Sequence, residues 1–222
     1  MPEPSLTRPR LIICESRADA GFLRALIAAR GIEAYDIRNT QMGDTQGGNS
    51  RFGPRLGALE VDLADGPTTH VLIVADADAD AEHTFQLLLN QLKNLKQVQP
   101  GLKIGHPTEP FVTAAGTPSL AIYLIPGVGA CGNLECLAYR AAKGVHPQNA
   151  ALVEGLATAA GVDQWSVNSQ AKMKLKTLFA CTHSRSPDIG LGNLWSQGGD
   201  YLINLQDPAL DDLASYLDAF GT

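Results

Sequence analysis

The chain has 222 residues, 45% of them hydrophobic and 18% charged, with a formal net charge of −6. That length can bury a full core and predicts a single domain, while the acidic balance excludes a broad surface for coating nucleic acid. No apolar run approaches the roughly 20 residues of a membrane span, and "MPEPSLTRPR", followed only by "LIICES", does not read as a targeting signal, so a cytoplasmic protein without membrane partners is expected.

In chain order, "RLIICES" reads as a strand and "RADAGFLRALIAARG" as a helix, because Phe22, Leu23, Leu26 and Ile27 recur at helical spacing before Gly31. "IEAYDIR" reads as a second strand, and "NTQMGDTQGGNSRFGP" as loop, since its Gly, Asn, Gln and Asp carry no period. "THVLIVADAD" is a third strand entered from a turn at Gly66–Pro67, and "AEHTFQLLLNQLKNLK" a helix ending near Gly101. "SLAIYLIP" is a fourth strand stopped by Pro126, followed by the helix "NLECLAYRAAKG" and three more in "QNAALVEGLATAAG", "SQAKMKLKTLFACT" and "PALDDLASYLDAFG". The alternation βαβ(α)βαβα predicts an α/β protein with a mainly parallel sheet flanked by helices. Its core spans about 9–145, with a C-terminal helical part over about 146–222.

In such sheets ligands bind beyond the carboxyl ends of the strands, and acids fall there. Glu15 ends the first strand, Asp76 and Asp78 the third, and Glu135 follows the fourth. Period two sends Asp76 and Asp78 to one side of an extended strand end, where like charges need a compensating partner; a hard cation taking oxygen ligands would serve. Asp19 stands four residues after Glu15, so it either points at the same volume or faces a helix N-terminus. Asp80 stands where a helix starts, which predicts an N-cap. Glu135 is either a ligand or a solvated first-turn acid.

"GVGACG", Gly127 to Gly132, has the G-x-G-x-x-G form of a dinucleotide-binding turn. It follows the fourth strand instead of the first, however, and no acid-ended strand comes about 20 residues later, so a plain turn before a helix is the simpler reading. Four cysteines without CxxC spacing read as small buried thiols, and most of the five unpatterned histidines as surface or capping residues. Two basic stretches break the acidic balance: Lys93, Lys96 and Lys103, and Lys172, Lys174, Lys176 and Arg185. In a helix Lys172 and Lys176 share a face and Lys174 does not; that face is either simply solvated or placed to meet phosphate.

"LIICESRADAGFLRALIAARGI" with "VLIVADADAD" resembles the Toprim fold, whose pattern is a Glu after the first strand and an Asp-x-Asp after the third. "YLIPGVGACGNLECL" and "NSQAKMKLKTL" are similar to short stand-alone Toprim-like proteins without assigned function, related to the Toprim domain of the overcoming-lysogenization-defect nucleases. The resemblance covers nearly the whole chain. It implies Mg²⁺- or Mn²⁺-dependent phosphodiester chemistry on DNA or RNA. Glu15 would be acid/base or metal ligand, Asp76 and Asp78 cation ligands, Asp19 and Glu135 ligands of a second ion, and Lys172 or Lys176 a phosphate contact. A non-catalytic module binding nucleic acid or a partner protein is the alternative, and dinucleotide binding a third. The usual Gly after the Glu is Ser16 here, followed by Arg17, and there is no P-loop sequence.

Overall fold

The computed structural model describes residues 4–42, 47–93, 118–196 and 199–221. Strands β1 (Arg10–Cys14), β2 (Asp36–Asn39), β3 (His70–Asp76) and β4 (Ser119–Ile125) form one sheet in the order β2-β1-β3-β4. All three pairings are parallel, with Ile12 between Ile37 and Leu72, and Asp76 opposite Ile125. The aliphatic runs form strands because the sheet is covered on both faces, so residues of either parity are buried. Ile12, Cys14, Leu72, Val74 and Tyr123 pack on one side. Leu11, Ile13, Val71, Ile73 and Ile122 pack on the other.

The first face is covered by α1 (Arg17–Arg30) together with α5 (Leu134–Val145), α6 (Pro147–Ala159), α7 (Val167–Thr182) and α8 (Asp211–Ala219). Phe22, Leu23, Leu26 and Ile27 form the buried stripe of α1, and Gly31 ends it in the left-handed conformation, φ 66°. The second face is covered by α2 (Phe52–Ala58), α3 (Glu60–Asp65) and α4 (Ala81–Lys93). This is a Rossmann-like parallel sheet with additional C-terminal helices, as the alternation predicted.

Some expectations need correction. β2 is shorter and later than "IEAYDIR", and the segment read as loop runs into α2 at Phe52. Cys131 and Cys181 are exposed, so only Cys14 is a fully buried thiol. His183 is buried, 3% exposed, with Nδ1 2.6 Å from the Tyr201 hydroxyl, so it is not a surface residue, although it does cap α7, its N–H donating to the Phe179 carbonyl at 2.8 Å. The end of the helix drawn toward Gly101 lies outside the described residues, as do Lys96, Lys103, His106 and the Lys93 side chain. Arg10, 1% exposed, carries no sequence signal of its own, yet it fastens α8 at the end of the sheet away from the acids. Its guanidinium lies 4.4 Å over the Tyr35 ring and donates to the carbonyls of Glu33 at 2.8 Å and Phe220 at 3.2 Å. No described helix is long and apolar enough to cross a membrane.

Candidate functional site

After β1 the chain moves to one side for β2 and then returns to the other side for β3. The carboxyl ends of β1 and β3 therefore flank the switch point where such sheets open a crevice. Glu15 and Asp76 stand at these two ends. The Asp76 backbone N–H donates to Glu15 Oε1 at 2.7 Å, and Leu134 N–H, in the first turn of α5, donates to Asp76 Oδ1 at 2.9 Å. Asp76 thus receives the positive end of a helix.

Asp19 fills both roles left open by its spacing. Ser16 is the N-cap of α1, its Oγ accepting from Asp19 N–H at 3.3 Å, while Asp19 Oδ2 accepts from Ser16 N–H at 2.7 Å. This is a reciprocal capping box. Ser16 therefore has a structural reason to stand at this position. Asp19 is also 8% exposed and close enough to Glu15, Asp76 and Glu135 to share their electrostatics.

These carboxyls are all raised above their ordinary titration range. Burial pushes Glu15 up to about 7; the charges of Asp19 and Asp78 add to it, while the Asp76 N–H and Lys172 oppose it. Burial, with the charges of Glu15, Asp19 and Glu135, pushes Asp76 up to about 9 against the Leu134 N–H. Burial also raises Asp19, with Glu135 adding and the bonds from Ser16 opposing. Among the described residues no ion pair reaches any of Glu15, Asp19, Asp76, Asp78 or Glu135. Lys172 is the cation whose field opposes the raised values of Glu15 and Asp19.

Asp78 departs from its expected geometry. It has left the strand at φ +54°, a left-handed conformation that Asp tolerates better than bulkier residues. The period-two placement of Asp76 and Asp78 on an extended end does not hold, because the chain turns there. Asp78 instead pairs antiparallel with Gly132, each N–H donating to the other's carbonyl at 2.7 Å. Both carboxylate oxygens are taken by amides: Asn49 Nδ2 at 3.0 Å and Asn168 Nδ2 at 2.7 Å. Asp80 acts as expected, its Oδ1 accepting from His83 N–H at 2.9 Å at the start of α4.

Asn49 and Asn168 were missed by sequence reasoning, and no local pattern marks them; only the fold brings the 3₁₀ turn at Asn49–Arg51 and the first turn of α7 to one carboxylate. Asn168 also orients α7. Lys172, one turn on, lies on the same face toward the acids, and Lys176 follows it. Lys174 turns elsewhere and bonds Glu154 of α6 at 2.7 Å. A loop closes over the end of β1: Thr40 Oγ1 donates to the Glu15 carbonyl at 2.7 Å, and a Cβ at Gly47 would come within 2.4 Å of that oxygen. Glycine is required there for backbone to lie against backbone.

Of the Gly127–Gly132 turn, Gly132 meets the site through its backbone pairing with Asp78. Gly132 has φ +136°, and a Cβ there would lie 2.8 Å from Cys136 Sγ. The α5 amides that would cradle a pyrophosphate already donate to Asp76 and, from Cys136 at 3.2 Å, to Asn133 Oδ1.

Among the described residues no three His, Cys, Asp or Glu side chains form a ready-made cage for a metal. The donor set nevertheless fits a hard cation that keeps its waters and takes one or two carboxylates. Glu15 Oε2, Asp76 Oδ2 and Asp19 Oδ1 make no hydrogen bond among the described residues, and the site gathers more carboxyls than Lys172 could balance once they ionise. Glu15 and Asp76 could hold such a cation, with Asp19 and Glu135 beside them, while both oxygens of Asp78 are already bonded by amides. No curated protein and no solved structure matches the chain. Residues 9–221 match the family described as a protein of unknown function, DUF3226, and the chain belongs to that family.

Proposed function

We propose that this protein is a Toprim-type nuclease whose Mg²⁺- or Mn²⁺-dependent site acts on phosphodiesters of DNA or RNA. The observation that supports it best is the Glu15–Asp76 pair at the switch point, both carboxyls raised in pKa and without an ion-pair partner among the described residues, with Asp19 and Glu135 close by. A bound divalent ion would neutralise phosphate charge and lower the pKa of an attacking water, which lets an acidic site work on an acidic substrate. The chain's own residues supply position and protons. The Leu134 N–H fixes Asp76, and the Asp76 N–H fixes one oxygen of Glu15. Burial pushes the Glu15 carboxyl up to about 7 in the metal-free protein, so it would give up its proton near neutral pH as an ion bound its other oxygen. Lys172 offers a point charge to a phosphate oxygen.

A second reading, a Toprim-like module that binds nucleic acid or a partner protein without turnover, draws on the amide clamp that occupies both oxygens of Asp78. The two separate on plasmid DNA, single-stranded DNA and RNA incubated with Mn²⁺ or Mg²⁺. Cleavage is expected with Mn²⁺, and Glu15→Gln is expected to stop it while the circular dichroism spectrum and cooperative unfolding persist. Binding without cleavage under both ions selects the module.

A further inference from the structure

Next to the acid site, between α5 and α7, lies a cleft of about 280 Å³ whose charge is opposite to that of the rim. Cys136, Arg140 and Lys143 line it from α5 at a spacing that puts them on one helix face, over about 10 Å of helix. Gln170 and Lys174 line it from α7. The cleft adjoins the acids: Cys136, its first residue, feels the charges of Glu135 and Asp76. Arg140 is exposed and makes no ion pair among the described residues. Lys143 and Lys174 share one carboxylate, Glu154, at 4.0 and 2.7 Å, and Tyr139 donates its hydroxyl to the same acid at 3.0 Å. Burial works against the Glu154 charge, but the bonds from Lys174 and Tyr139 outweigh it and keep its pKa below the usual range. Three cations against one acid leave the cleft net positive on an acidic protein. Trp165, 49% exposed, stands beside it, its carbonyl bonded by Gln170 Nε2 at 2.9 Å. Cations along a groove with an exposed aromatic ring are the features by which proteins track a single strand, phosphates on the cations and a base on the ring.

We propose that the α5–α7 cleft is a subsite for the phosphodiester backbone of a single-stranded polynucleotide flanking the acid site, with Arg140 and Lys143 as its phosphate contacts. The proposal rests on the reading of the acid site as one that acts on phosphodiesters, and it gives that site a direction: the strand leaves the acids along α5.

The test is binding of a fluorescent single-stranded oligonucleotide to the full chain in EDTA, where metal chemistry plays no part, as a function of salt. Arg140→Ala with Lys143→Ala is expected to weaken binding roughly tenfold and to reduce the log–log salt slope by about 1.4, that is about 0.7 for each phosphate no longer neutralised. Glu154→Gln frees two lysines and is expected to tighten binding several-fold, an effect that a merely damaged fold does not produce. Arg8→Ala with Arg185→Ala, exposed and outside the cleft, should change little. Wild-type slope and affinity in the Arg140/Lys143 variant, or no oligonucleotide binding at all, overturns the subsite, and a duplex bound as tightly as the single strand overturns its single-strand character. Mn²⁺-dependent cleavage abolished in Glu15→Gln is scored separately, so either idea can fail while the other stands.

Discussion

Asp76→Asn is expected to make the metal-free protein more stable at pH 8, on the order of 2 to 4 kcal/mol, while making it indifferent to divalent ions. The folded-state pKa of Asp76, about 9, stands above the ordinary 3.8 of the unfolded chain. Between those values the folded state binds more protons than the unfolded state, so stability falls as pH rises through the window. Each unit of displacement is worth about 1.4 kcal/mol, and sharing of charge with Glu15 keeps the effect below the full span. Asparagine mimics the protonated acid, can still accept from Leu134 N–H, and does not titrate. Urea unfolding at pH 4 and pH 8 reads this directly: the variant and wild type should nearly coincide at pH 4 and separate at pH 8. A variant less stable than wild type at pH 8 would mean that Asp76 is a structural carboxylate satisfied by α5, with no charge awaiting a partner.

Adding metal should reverse that order. A ligand at 100 times its dissociation constant stabilises the folded state by about 2.7 kcal/mol, a gain expected for wild type and absent in Asp76→Asn. The same carboxyls make binding release protons, because a ligating carboxylate must be ionised. Below pH 7 both Glu15 and Asp76 carry protons; between about 7 and 9 Asp76 alone does. Mn²⁺ affinity should therefore rise about tenfold per pH unit from 7 to 9, rise more steeply below 7, and level off above 9. Calorimetry in two buffers with different heats of ionisation should count about one proton released at pH 8. An affinity unchanged between pH 6 and 8 would place the ion away from these two residues.

Much of this architecture is written locally. The strands β1, β3 and β4 are aliphatic runs without alternation, which is how strands covered on both faces must read, and Glu15 and Asp76 follow directly from where two of those runs stop. α2 and α3 were harder to see. Phe52, Leu56, Leu59 and Leu63 are a buried helical stripe, but Gly53, Pro54 and Gly57 among them are the residues that ordinarily mark loops, and packing against α4 overrides that signal. The Asp78 turn was hidden for a different reason. Alternation along "VADAD" carries no sign of a left-handed residue, and the conformation depends on a backbone pairing with Gly132 more than fifty positions away. Asn49, Asn168 and Arg10 likewise gain their meaning from partners distant in the chain. Ser16 was legible only as a departure from a pattern until its capping bond to Asp19 was in view.

The most direct test of the metal-dependent site is a crystal of the wild-type chain soaked in Mn²⁺ at pH 8 and measured at a wavelength where manganese scatters anomalously. An anomalous peak bound by Glu15 Oε2 and Asp76 Oδ2 at roughly 2.0 to 2.5 Å, absent from Asp76→Asn crystals, is the predicted result. A crevice between Glu15 and Asp76 without such a peak at saturating Mn²⁺, or a peak that persists unchanged in Asp76→Asn, would contradict it.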